Sequence, residues 1–180
     1  MSETRWSERP RAALRCAALV PVCLVLCACL QDKTLDVDCA AMGGTVGSGA
    51  TGGTVTNPRG AADNDLFTEA SISSTGGGFI SATRGSALAP GGNAGAFVIL
   101  PAGASSSNVT LSTFSGGSPA ETATGSNLKI TSTVGKTGTS ATSYVSFVTT
   151  MAYDELEILV NSSQQDTYEV FELCSRADIH

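Results

Sequence analysis

Residues 57–72 read NPRGAADNDLFTEASI, and Asp63, Asp65 and Glu69 fall within seven positions of it. Carboxylates so spaced suit three roles. They can hold a hard cation with help from carbonyl oxygens, contact a ligand, or close a turn, as Asp and Asn do by bonding their own backbone. Two close carboxylates repel unless a cation or several N–H groups lie between them. The spacing excludes an EF-hand: counted from Asp63, Phe67 stands fifth, Thr68 sixth where glycine is needed, and Ser74 twelfth where glutamate is needed. The only tryptophan is Trp6, near the start of the chain. Phe67 and Tyr153 are therefore the best-placed aromatics for stacking on a sugar, and each serves equally well as a buried anchor of its loop.

Catalytic constellations are poorly supported, and the chain reads as non-enzymatic. The sole histidine, His180, is the last residue, a fraying position for a nucleophile's base. GKT at 135–137 lacks the first glycine of a phosphate loop, whose place falls on Ile130. SNLK at 126–129 and KTG at 136–138 imitate penicillin-recognising enzymes, but no Ser-Asp-Asn accompanies them. Asp154, Glu155 and Glu157 sit beside alternating apolar residues, as a solvated strand face does, which removes them as paired acids for glycoside hydrolysis.

The elements that must position these residues are strands. From residue 52 onward, short apolar or alternating runs recur every ten to fifteen residues, broken by Gly, Pro, Asn and Ser. This pattern predicts an all-β, antiparallel β-sandwich of about eight or nine strands. The runs are GGTV, EASIS, FISAT, AGAFVIL, NVTLSTF, LKITSTV, SYVSFVTT, ELEILV and YEVFELC. Leu156, Ile158 and Val160 share one face of ELEILV and Glu155 and Glu157 the other, whereas FVIL is apolar on both faces and belongs at the centre of a sheet. No stretch sustains a period of 3.6, so helices are limited to a turn or two.

Residues 1–28 read differently. Arg5, Arg9, Arg11 and Arg15 precede an apolar run from Cys16 to Cys27, the layout of a secretory signal and too short for a membrane span. The run ends in LCAC, which resembles the lipobox of bacterial lipoproteins. The resemblance implies that Cys29 is lipidated and becomes the new N-terminus, with several acyl chains giving a firm membrane anchor. Cys27 departs from the usual lipobox residue and offers a competing cut. Leu30, in place of an acidic residue, implies sorting to the outer membrane of a Gram-negative cell, on its periplasmic or surface face. Residues 29–51, polar and then glycine-rich, read as a flexible tether, 52–176 as the sandwich, and 177–180 as a tail.

Loss of the signal removes four of the ten basic and two of the sixteen acidic residues, leaving a net charge of −8. Nucleic acid is thereby disfavoured as a partner. Of six cysteines, only Cys39 and Cys174 then remain as thiols. Outside the cytoplasm they can bridge; the alternative is two unpaired residues.

The succession VTNPRGAADNDLFTEASI, AGAFVIL, VSFVTTMAYDELEI and YEVFELC resembles a poorly characterised β-sandwich domain of bacterial surface proteins. That domain is similar to the galactose-binding, discoidin-like jelly rolls. Asn57, Pro58, Ala61, Asp63, Asp65 and Thr68 carry the resemblance, and Asn64 stands where those relatives often have glycine. The likeness implies a binding or adhesion module whose end loops meet glycans or proteins, and a structural calcium held by Asp63, Asp65 and neighbouring carbonyls. The alternative function is a structural envelope lipoprotein without a small-molecule ligand.

Overall fold

The computed structural model describes residues 37–133 and 142–180. Its strands, in chain order, are β1 (Val37–Ala41), β2 (Thr45–Ala50), β3 (Gly53–Thr56), β4 (Ala70–Ser74), β5 (Gly78–Leu88), β6 (Asn93–Ile99), β7 (Val109–Ser115), β8 (Ser118–Thr124), β9 (Lys129–Thr133), β10 (Thr142–Val148), β11 (Tyr153–Val160) and β12 (Asp166–Ile179). One sheet runs β3-β4-β12-β6-β10-β9, with β1 also paired to β12, and the other runs β2-β5-β11-β7-β8. All pairings are antiparallel. The expected antiparallel sandwich is what forms. Helical structure among the described residues is confined to three short 3-10 turns, Pro58–Ala61, Ser106–Asn108 and Gly125–Asn127.

All nine runs identified from the sequence are strands. Three further strands were not legible: β1, β2 and β8. Each lies at a sheet margin and carries small or polar residues, VDCAA, TVGSGA and SPAETAT. A margin strand buries little and so needs no apolar alternation. The segment expected as a tether is thus folded from Val37 onward, and the expected tail belongs to β12 through Ile179. The compact unit spans Thr34–His180.

Between the sheets lie Ile72, Ala96, Val98 and Val145 from the first and Ile80, Leu111, Leu156 and Ile158 from the second, all buried. The Val, Ile and Leu side chains among them each stabilise the fold by roughly 1.5–3 kcal/mol when fully buried. β6 sits between β12 and β10, where its two apolar faces belong. Its outward residue Phe97 meets Tyr144 at a ring separation of 5.0 Å, in a second cluster with Phe171 and Cys174 against which Leu66 packs.

The registers sort the connections to two ends. Val37 pairs with Ile179, so the chain enters at the end that also carries 57–69, 89–92, 116–117 and 149–152. The far end carries 51–52, 75–77, 100–108, 125–128 and 161–165.

Candidate functional site

The 57–69 loop is built by local polar bonds. Asn57 adopts left-handed φ (47°) and its Nδ2 donates to Glu69 O at 2.8 Å, joining the loop's two ends. Gly60 lies in that junction, where a Cβ would come within 2.9 Å of the Glu69 carbonyl. Asp65 N then donates to Asp63 Oδ1 and Phe67 N to Asp65 Oδ1, each at 3.0 Å, giving two successive Asx turns. Asn64 between them has φ 63°, a conformation Asn tolerates better than most residues. This is the physical reason Asn can stand where glycine is common. Leu66 turns inward onto the Phe97–Tyr144–Phe171 cluster, and Phe67 turns outward, 73% exposed.

Beneath the loop lies Glu172, only 1% exposed. Its Oε2 accepts from Asn64 N at 2.8 Å, while Oε1 is buried with no hydrogen-bond partner among the described residues. Burial pushes its carboxyl up to about 7; the Asn64 and Asp65 N–H groups oppose the rise, and the charges of Asp63 and Asp65 add to it. Nearby, Thr68 Oγ1 lies 2.7 Å from Asp63 Oδ2, 3.0 Å from Asp65 O and 3.5 Å from Gly60 O. One hydroxyl proton faces three acceptors. An excess of oxygen lone pairs over donors is the environment a hard cation relieves. Among the described residues no three His, Cys, Asp or Glu side chains gather at metal-ligating distance. A cation here would draw on Asp63, Thr68 and the Asp65 and Gly60 carbonyls.

Glu172 escaped sequence reasoning because of a bulge. Val170 pairs with Val98 and Glu172 with Phe97, so the register slips at Phe171. Strict alternation from Tyr168 and Val170 would have turned Glu172 into the core; the extra residue turns it outward, under the loop.

The two aromatic candidates part company. Phe67 is open to solvent, whereas Tyr153 is buried and donates its hydroxyl to Ser175 O. Tyr153 is therefore an anchor, not a stacking surface. Cys39 and Cys174 form a disulfide with Cα atoms 5.4 Å apart. Asp154 accepts from Gly116 N at 2.9 Å, while Glu155 and Glu157 line a half-buried strand face. Cys29 and the GKT and KTG motifs lie outside the described residues.

Recesses indent the sandwich at both ends. One of about 330 Å³ adjoins the loop, between Thr45, Val46, Arg59 and Asp63. A larger one, about 450 Å³, opens at the far end between Gly49, Thr51, Gly77, Phe79, Leu159 and Asn161. A polar one of about 190 Å³ lies beside it, between Asn108, Ser162, Gln164, Asp166 and Tyr168. Phe79 carries no signal of its own because FISAT reads as an ordinary strand; the only trace in the sequence is Gly49 of TVGSGA, which faces it.

No family model and no curated protein matches the chain. Two solved structures do. A chitosan-binding module from a chitosanase/glucanase of Paenibacillus sp. IK-5 is 14% identical, with a TM-score of 0.44 over 78% of this chain and 98% of that one. The CBM32 of AlyQ, in complex with 4,5-unsaturated mannuronic acid, is 18% identical, with a TM-score of 0.43 over 79% of this chain and 95% of that one.

Proposed function

We infer that the protein is a non-enzymatic, lipid-anchored binding module of the outer membrane, and that it takes neutral glycans at the end of the sandwich remote from its anchor. The observation that carries this reading is the absence of charge from the described far-end connections, against the charged 57–69 loop at the other end. The described far-end connections, 51–52, 75–77, 100–108, 125–128 and 161–165, contain no Asp, Glu, Lys or Arg in a chain of net charge −6. They present Ser, Thr, Asn and Gln instead. Hydroxyl and amide groups match the alternating donors and acceptors of a polyol without the desolvation cost of charge.

The chain enters at Val37, at the opposite end. An acylated Cys29 would join the sandwich through β1, at the end opposite the hydroxyl-rich connections. A calcium ion at Asp63 and Thr68 fits as a structural part of the tethered end, holding the 57–69 loop on β12.

A glycan array probed with residues 34–180, which form a compact unit of their own, tests the reading. Binding confined to neutral saccharides is the expected result. An array without any binder favours the alternative, a structural envelope lipoprotein with no small ligand.

A further inference from the structure

β2 is a margin strand with glycine at alternate positions, and both glycines face β5: Gly47 opposes Ser81 and Gly49 opposes Phe79. Ile80 and Ala82 point into the core, so Phe79 and Ser81 point out from the second sheet. A Cβ at Gly49 would lie 2.8 Å from Phe79 Cε1. The ring is therefore laid across the bare backbone of β2, an arrangement only glycine permits, and a strand glycine is characteristic of such close approach. On its other side Phe79 pairs with Leu159 of β11. Phe79 and Leu159 together give the cleft at the far end an apolar floor.

The walls of the 450 Å³ cleft above this floor are almost free of side chains. Gly76, Gly77 and Gly78 form one side. Gly77 has φ 115°, and a Cβ there would strike Asn161 Oδ1 at 2.8 Å. Thr51 and Asn161 supply the polar groups, and neither the Thr51 hydroxyl nor the Asn161 side-chain amide bonds to another described residue. Among the described residues no ionisable side chain lines the cleft.

We propose that the cleft floored by Phe79 and Leu159 is a saccharide-binding site that takes one neutral pyranose ring, its C–H face on the Phe79 ring and its hydroxyls toward Asn161 and Thr51. The inference rests on the glycan-binding reading and names the site for it. An aromatic face attracts the weakly positive C–H bonds of a sugar ring, and free amide and hydroxyl groups at the margin fix its orientation. A charged sugar finds no counter-charge here and would lose hydration without compensation.

The test titrates residues 34–180 calorimetrically with the neutral saccharide that binds best on the array, alongside Phe79→Ala, Asn161→Ala and Phe67→Ala. Phe79→Ala is expected to weaken binding about tenfold, the scale of one aromatic contact. Asn161→Ala weakens it as well, and Phe67→Ala, at the other end, leaves it unchanged. Residues 34–180 contain no tryptophan, so Phe79→Trp adds a single fluorophore on the floor whose emission changes on binding; it keeps the question open to test if Phe79→Ala unfolds. Affinity within twofold of wild type in Phe79→Ala, or indole emission from Phe79→Trp that stays constant up to saturation, overturns the site while leaving the glycan reading intact. Absence of saccharide binding by the wild type overturns both.

Discussion

Asn64 donates its backbone N–H to Glu172 Oε2 at 2.8 Å, across 108 positions of sequence. This bond fastens the 57–69 loop to the longest strand, β12. The other carboxylate oxygen is buried and meets no partner among the described residues, so the loop rests on a group whose charge is expensive to keep. The protonation of Glu172 and any cation near it thereby become linked to folding.

The pH dependence follows from that linkage. An unfolded glutamate titrates at about 4.3, whereas burial holds Glu172 up at about 7. The folded state binds the extra proton, so its stabilisation is complete below the unfolded pKa and is lost as pH rises through 7. At 1.4 kcal/mol per pKa unit the loss is roughly 4 kcal/mol. Denaturant melts in chelator at pH 5 and pH 8 should show wild type losing stability relative to Glu172→Gln, which keeps an acceptor for Asn64 but cannot ionise. A difference between the two proteins that does not change with pH would contradict this.

Calcium should act on the same loop. A ligand that binds only the folded state stabilises it by about 2.7 kcal/mol at a hundredfold excess over its dissociation constant. Millimolar calcium added to chelated wild type is expected to raise the melting temperature, and Asp63→Ala to abolish the rise. If wild type does not respond and Asp63→Ala still destabilises, the loop is held by its Asx turns alone.

The Cys39–Cys174 bridge closes a sequence separation of 135. In the chain-entropy model such a loop is worth on the order of 4–5 kcal/mol, an upper figure. The double variant Cys39→Ala/Cys174→Ala should lose stability, with amides of residues 37–41 exchanging fastest. Fully alkylable thiols in exported protein, without reductant, would show that the bridge does not form in the cell.

Lipidation at Cys29 is checked by feeding labelled palmitate to an expressing Gram-negative host. Label is expected in wild type and absent in Cys29→Ala. Label of equal intensity in the variant moves the anchor elsewhere.

The sequence made the interior strands legible because burial leaves a pattern: in ELEILV the alternation of Leu156, Ile158 and Val160 with Glu155 and Glu157 is the pleat itself. The margin strands left no such trace, since Thr45–Ala50 buries little and its Gly49 makes room for the ring of Phe79. Asp63 and Asp65 stood out through spacing within a single loop. Glu172 did not, because its partner lies 108 residues away and a bulge at Phe171 chooses its face. Pairings that depend on register are not written in local composition.

The place of Cys39 within β1 bears on how the molecule carries tension. A ligand held at the far end and an anchor pulling on the segment before Val37 would load the sandwich lengthwise. Only Val37 and Asp38 of β1 precede the covalent bond to Cys174, so peeling of β1 stops after two residues. The pull passes into β12, which is hydrogen-bonded to β4 and β6 on either side. Those ladders run parallel to the force and must slide as a row instead of opening one bond at a time. Reduction of a single disulfide would convert a shear-resistant module into one that frays from its first strand.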